Sequence, residues 1–195
     1  REPTADELAL WVAAIDDGAS SRSAFLRTLA TSDEWLGTVV DALYEDTLGR
    51  PADPDGSAFW VTQLETGRYT VAQVTALFHS SPEYFEGIGG GTNETWVTDL
   101  YLKLLDRAPE SSGLAYWTGV AERSGRYAVA YPLFQSRESA EARVEALYLV
   151  LLDRAPDAAG LDFWAGQVVV RGDIVLAVQL AASDEYHDKA AVRFP

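Results

Sequence analysis

Residues 147–164 read Leu147-Tyr148-Leu149-Val150-Leu151-Leu152-Asp153-Arg154-Ala155-Pro156-Asp157-Ala158-Ala159-Gly160-Leu161-Asp162-Phe163-Trp164, with Tyr to Arg 6 residues, Arg to Gly 6 and Gly to Trp 4. The same intervals run from Leu43-Tyr44 through Leu48-Gly49-Arg50 to Gly56 and Phe59-Trp60. They run again from Leu100-Tyr101 through Leu105-Asp106-Arg107 to Gly113 and Tyr116-Trp117. Four residue types holding one spacing three times mark an internal repeat.

Outward from each Trp the pattern loosens but continues. A glycine follows (Gly67, Gly125, Gly172), then an apolar stretch, then Ser81-Pro82-Glu83-Tyr84 or Ser183-Asp184-Glu185-Tyr186. The N-terminus carries this second half alone: Trp11, Gly18, then Ser32-Asp33-Glu34-Trp35. Ten residues before Trp60 stands Arg50, and ten before Trp11 stands Arg1, so the chain is expected to open in mid-repeat and its parent to continue upstream. The division expected is a second half-repeat at 1–36 and repeats at 37–88, 89–141 and 142–195. The Gly-rich stretch Glu86–Asn93 is the candidate boundary or hinge.

The segment before each Arg is helical by period. Val97, Leu100, Tyr101, Leu104 and Leu105 fall at i, i+3, i+4, i+7 and i+8, as do Val144, Leu147, Tyr148, Leu151 and Leu152. Proline just beyond (Pro51, Pro109, Pro156) ends these helices. A second helix is expected from near Gly56, Gly113 and Gly160, with Trp one turn later filling the gap that a close helix approach leaves. Ser-x-Glu caps a further start, and two such starts should run unbroken from Asp33 to Leu48 and from Arg137 to Leu152. No segment alternates as a strand does. The expected fold is all-α, tandem helical repeats of three to four helices each, packed into one continuous array or globule.

Composition narrows function. The 195 residues carry Lys+Arg 15 against Asp+Glu 30, a net charge of -15, which argues against nucleic acid and anionic lipid. No apolar run reaches the roughly 20 residues that insert through a bilayer. Cys 0 removes disulfides and thiolate chemistry, and Met 0 with an Arg1-Glu2-Pro3 start suggests a processed or excised piece. An acidic, cysteine-free chain with two lysines fits an extracellular bacterial protein, though acidic cytosolic proteins share that composition.

The Leu-Tyr, Leu-x-Arg, Gly-Leu-x-Tyr/Phe-Trp and Ser-x-Glu-Tyr series resembles the bacterial domain-of-unknown-function (DUF) 4214 family. It does so best from Leu147-Tyr148 to Trp164 with Ser183–Tyr186, and from Leu43-Tyr44 to Trp60 with Ser81–Tyr84. The middle unit departs from the pattern at Ser136-Arg137-Glu138-Ser139. The resemblance implies helical units carried in tandem by large secreted or surface proteins of bacteria, S-layer-like, adhesin-like or polysaccharide-associated. It carries no catalytic residues.

Each singled-out residue has a structural and a functional reading. Tyr44, Tyr101, Tyr148, Gly56, Gly113, Gly160, Trp11, Trp60, Trp117 and Trp164 read as core and contact positions. Arg50, Arg107 and Arg154 read as cations on helix C-terminal carbonyls. Asp53-Pro54-Asp55-Gly56 begins like a calcium loop, but position 12 would be Leu64 in place of a bidentate Glu, so calcium at Asp53 and Asp55 competes with a turn that caps the next helix. His79 and His187 lack a zinc partner at helical spacing. Trp35, Trp96, Tyr69, Tyr127 and Tyr131 lie outside the repeated register and are the candidates for an exposed sugar-binding platform. No hydrolase elbow, zinc-protease or phosphate-loop motif occurs. The expectation is a non-catalytic scaffold, adhesion or interaction module without an obligatory cofactor, its partner a protein or cell-envelope polysaccharide. A carbohydrate-binding module, calcium-assisted or not, is the alternative, and a glycan-active hydrolase the third reading.

Overall fold

The computed structural model describes residues 3–193; Arg1 lies outside them. The described residues form thirteen helices and no strand. Two belong to the first half-repeat: α1 (Ala5–Asp16) and α2 (Arg22–Ala30). Then follow α3 (Asp33–Leu48), α4 (Pro54–Glu65) and α5 (Val71–Ser80); α6 (Pro82–Gly87), α7 (Asn93–Leu105), α8 (Ser111–Ser124) and α9 (Tyr127–Phe134); α10 (Arg137–Leu152), α11 (Ala158–Arg171), α12 (Asp173–Ala182) and α13 (Asp184–Arg193). The all-α repeat architecture is thus as the periodicity predicts, including the unbroken α3 and α10.

In each complete unit the tyrosine helix (α3, α7, α10) packs on the tryptophan helix (α4, α8, α11) and on the helix after it (α5, α9, α12). Three small cores result. One gathers Val40, Tyr44, Val74 and Phe78, and another Val144, Tyr148, Leu152, Val168 and Leu176. The largest holds Tyr84, Trp96, Leu100, Tyr101 and Val129.

Units also pair through their last helices: α5 packs on α9, and α2 of the opening half-repeat packs on α12 of the final unit. The second pairing brings together parts of the chain that a simple linear stack would hold apart. Across it Arg22 donates to the Ser183 carbonyl at 3.4 Å and pairs with Asp184 at 2.6 Å.

The stretch 86–93 is not a slack hinge. The Ile88 and Gly89 N–H groups both donate to the Tyr84 carbonyl and the Gly91 N–H to that of Phe85, closing the end of α6. A side chain at Gly89 would meet Trp96 Cδ1 at 2.7 Å. The insertion breaks what is one helix in α3 and α10, and the turn it makes covers the Trp96 indole.

Candidate functional site

The repeated residues form one linked contact set in every complete unit. Tyr44, Tyr101 and Tyr148 are buried on the tyrosine helix, and their hydroxyls reach the glycine of the next helix. A Cβ at Gly56, Gly113 or Gly160 would lie 2.5, 3.1 or 3.5 Å from that oxygen. At Gly56 the clash is severe; at Gly160 it is a contact. The fixed interval between Tyr and Gly is therefore a distance between two helices.

Arginine adds the next link. The tyrosine helices end on left-handed residues, Gly49, Asp106 and Asp153, which turn the chain away from the helix axis. The arginine is carried past the terminal carbonyls, so it does not cap them as its position suggests. Its guanidinium instead lies 5.0, 5.2 or 5.3 Å from the preceding Tyr ring centre and forks onto the Glu of Ser-x-Glu. Arg50 holds Glu83 at 2.5 and 3.0 Å, Arg107 holds Glu138 at 2.5 and 3.0 Å, and Arg154 holds Glu185 at 2.7 and 2.8 Å. Ser81, Ser136 and Ser183 cap the helix that presents the Glu. The bidentate bonds hold all three Glu carboxyls below their usual range and raise the arginines. The arrangement joins three helices, each motif Arg and Glu holding the other in a bidentate pair.

The family model for "Domain of unknown function (DUF4214)" matches residues 37–88, 77–143 and 132–189. The chain belongs to the DUF4214 family. No curated protein and no solved structure matches it. Each DUF4214 match contains one complete run from the motif tyrosine to the glutamate that its arginine holds.

The other singled-out residues separate into groups. Trp60, Trp117 and Trp164 are half-buried against their unit's core, and Trp11 leans on Phe25 at 4.7 Å. Trp96 offers no platform: it is fully buried and its Nε1 donates to the His79 carbonyl at 2.8 Å. Its place outside the register reflects the insertion, which gives it a private pocket. Trp35 is exposed. Tyr127 and Tyr131 stack, ring centres 5.6 Å apart and planes within 10°, and Tyr69 packs on Trp60 at 6.0 Å. Burial and the neighbouring Tyr131 and Tyr69 raise the Tyr127 hydroxyl above its ordinary range. Asp53 caps α4, accepting from the Gly56 N–H at 2.9 Å, and Asp55 is exposed in the same turn. Among the described residues no group of three or more His, Asp or Glu converges as a metal site.

One recurrent feature was overlooked in reading the tryptophans as the message. The residue before each Trp faces solvent: Phe59 is 53%, Tyr116 61% and Phe163 57% exposed, and Leu10, its counterpart in α1, 67%. Each of the three rings sits edge-on to its Trp at 4.9 to 5.0 Å. The signal was in the chain, since an aromatic neighbour of an inward Trp on a helix must point elsewhere.

Proposed function

We propose that this chain is a non-catalytic scaffold and interaction module of a bacterial extracellular or cell-surface protein, binding a cell-envelope polymer or protein through several weak, repeated contacts. One observation carries the reading. The recurring residues divide into a set (Tyr, Gly, Arg, Glu) engaged with one another between helices and an outward aromatic, once per complete unit, more than half exposed and touching its Trp only edge-on. Contacts between helices account for the first set; an exposed ring repeated at one position is accounted for by contact with a partner. Repetition multiplies such contacts into avidity. No helix among the described residues is long and apolar enough to cross a membrane, which agrees with a module displayed from a larger protein.

Cosedimentation of the purified chain with bacterial envelope fractions tests this. The expected result is retention that falls stepwise through Phe59→Ser, then Tyr116→Ser and Phe163→Ser added, with the chain still cooperatively folded, because each ring is more than half exposed and loses only an edge-on Trp contact. Release of soluble sugar or peptide, or retention equal in the triple variant, contradicts it.

A further inference from the structure

An open cavity of about 520 Å³, within the size range of small-ligand sites, lies where the α8–α9 turn meets the end of α5 and the start of α7, beside the α5–α9 seam. Its lining includes Ser80 from the end of α5, Asn93 from the start of α7, Glu122 and Ser124 from the end of α8, and Arg126 and Tyr127 at the start of α9. Four helices thus contribute, and most of the side chains they offer are polar.

The two seams of the molecule separate structural residues from unexplained ones. Arg126 Nε donates to the Ser80 carbonyl at 3.0 Å, and its guanidinium lies 4.2 Å from the Phe85 ring centre. At the α2–α12 seam Arg22 makes a similar bond one register position later, to the Ser183 carbonyl. Arg126 is therefore a seam clamp. Tyr127 and Tyr131 stand nine and five residues before Ser136; the same intervals before Ser32 reach Ser23 and Arg27. The stacked tyrosines belong to one seam alone and do not serve the pairing as such. Tyr127 is 36% exposed, and Gln135 Nε2 donates to the Tyr131 hydroxyl at 3.3 Å, helping to fix the ring beneath it. Asn93, Glu122 and Ser124 form no side-chain hydrogen bond or ion pair with any described residue, although the motif arginines and glutamates of every complete unit do.

We propose that this cavity binds a neutral saccharide, with Tyr127 as the stacking surface and Asn93, Glu122 and Ser124 as the hydrogen-bonding wall. A pyranose ring presents C–H groups on one face and hydroxyls at its edge. The tyrosine ring takes the face, while an amide, a carboxylate and a hydroxyl together match groups that both donate and accept. Glu122 and Arg126 leave the lining without net charge, and the chain's net charge of -15 disfavours uronic acids, so neutral sugars are selected.

The test is calorimetric titration of the intact chain with neutral β-glucan, chitin-type and galactan hexasaccharides, with hexagalacturonate as the acidic arm. At least one neutral hexasaccharide is expected to bind, and Tyr127→Ala and Glu122→Gln are each expected to weaken it about tenfold or more. Glu122 is exposed, so its variant keeps the test valid should Tyr127→Ala lower stability. The triple variant at Phe59, Tyr116 and Phe163 is expected to bind the hexasaccharide as the parent does, which separates this site from the envelope-contact reading. No heat with any neutral hexasaccharide at millimolar concentration, a preference for hexagalacturonate, or binding that survives both substitutions overturns the proposal.

Discussion

The two seams use one device and differ in everything beneath it. At both, an arginine at the start of one helix holds a carbonyl at the end of another. Behind Arg126 the helices are deeply packed: α5 buries Val74, Thr75, Ala76, Phe78 and His79, and α9 buries Val129, Ala130, Leu133 and Phe134. Behind Arg22 the packing is shallow: α2 buries nothing fully, and Leu176 and Leu180 of α12 are buried in the core it shares with α10 and α11. Apolar burial, not the surface ion pair, sets how firmly a seam is held. The α5–α9 seam is a core, and the α2–α12 seam is a docked edge.

The largest effect expected is at the first seam's core. Trp96→Ala should cost about 3–5 kcal/mol in denaturant unfolding, through a cavity and an unpaired His79 carbonyl. Trp164→Ala, half-buried beside α10, should cost less, and Trp35→Ala, exposed, should stay within about 0.5 kcal/mol. If the three cost the same, the difference in packing is illusory.

Acid should loosen the first seam before the motif contacts. Burial lowers the His79 pKa, against the hydrogen bond its Nδ1–H donates to the Thr75 carbonyl; Lys103 lowers it further and Asp99 raises it. A histidine kept neutral in the fold but protonated when unfolded loses stability as pH falls below about 6.5. The Glu83, Glu138 and Glu185 carboxyls, depressed by their arginines, contribute above about pH 4.3 and lose that contribution as pH falls through their folded values. Melting temperature against pH should therefore decline in two stages, and His79→Gln should remove the earlier one.

Smaller differences remain. Arg126→Ala should cost about 1–2 kcal/mol, since it loses a carbonyl bond and the Phe85 face. Arg22→Ala should cost under about 1 kcal/mol, because its ion pair is exposed. Asp106→Asn should stabilise by about 0.5 kcal/mol: it keeps a residue tolerant of positive φ and removes an anion from a helix C-terminus.

How much of this could be read from residues alone follows from what each contact needs. Helix limits were legible because apolar period, Ser caps and Pro stops are local. The interval from Tyr to Gly was legible as a repeat, but its cause, a hydroxyl on a glycine, needs two helices in place. The fork from Arg to Glu is hidden by the left-handed residue just before each Arg: two of the three copies rest on Asp106 and Asp153, which carry no glycine to announce positive φ. Trp96 looked surplus because the insertion that buries it has no counterpart elsewhere in the chain. The residues lining the Tyr127 cavity come from four helices, a convergence no spacing encodes.

Native-state hydrogen exchange resolved by helix tests the inequality of the seams most directly. Amides of α5, α7 and α9 should exchange only through global unfolding, and those of α1 and α2 through a local opening of much lower free energy that leaves α12 protected. Equal protection of α2 and α9, or release of α9 before α2, would contradict it.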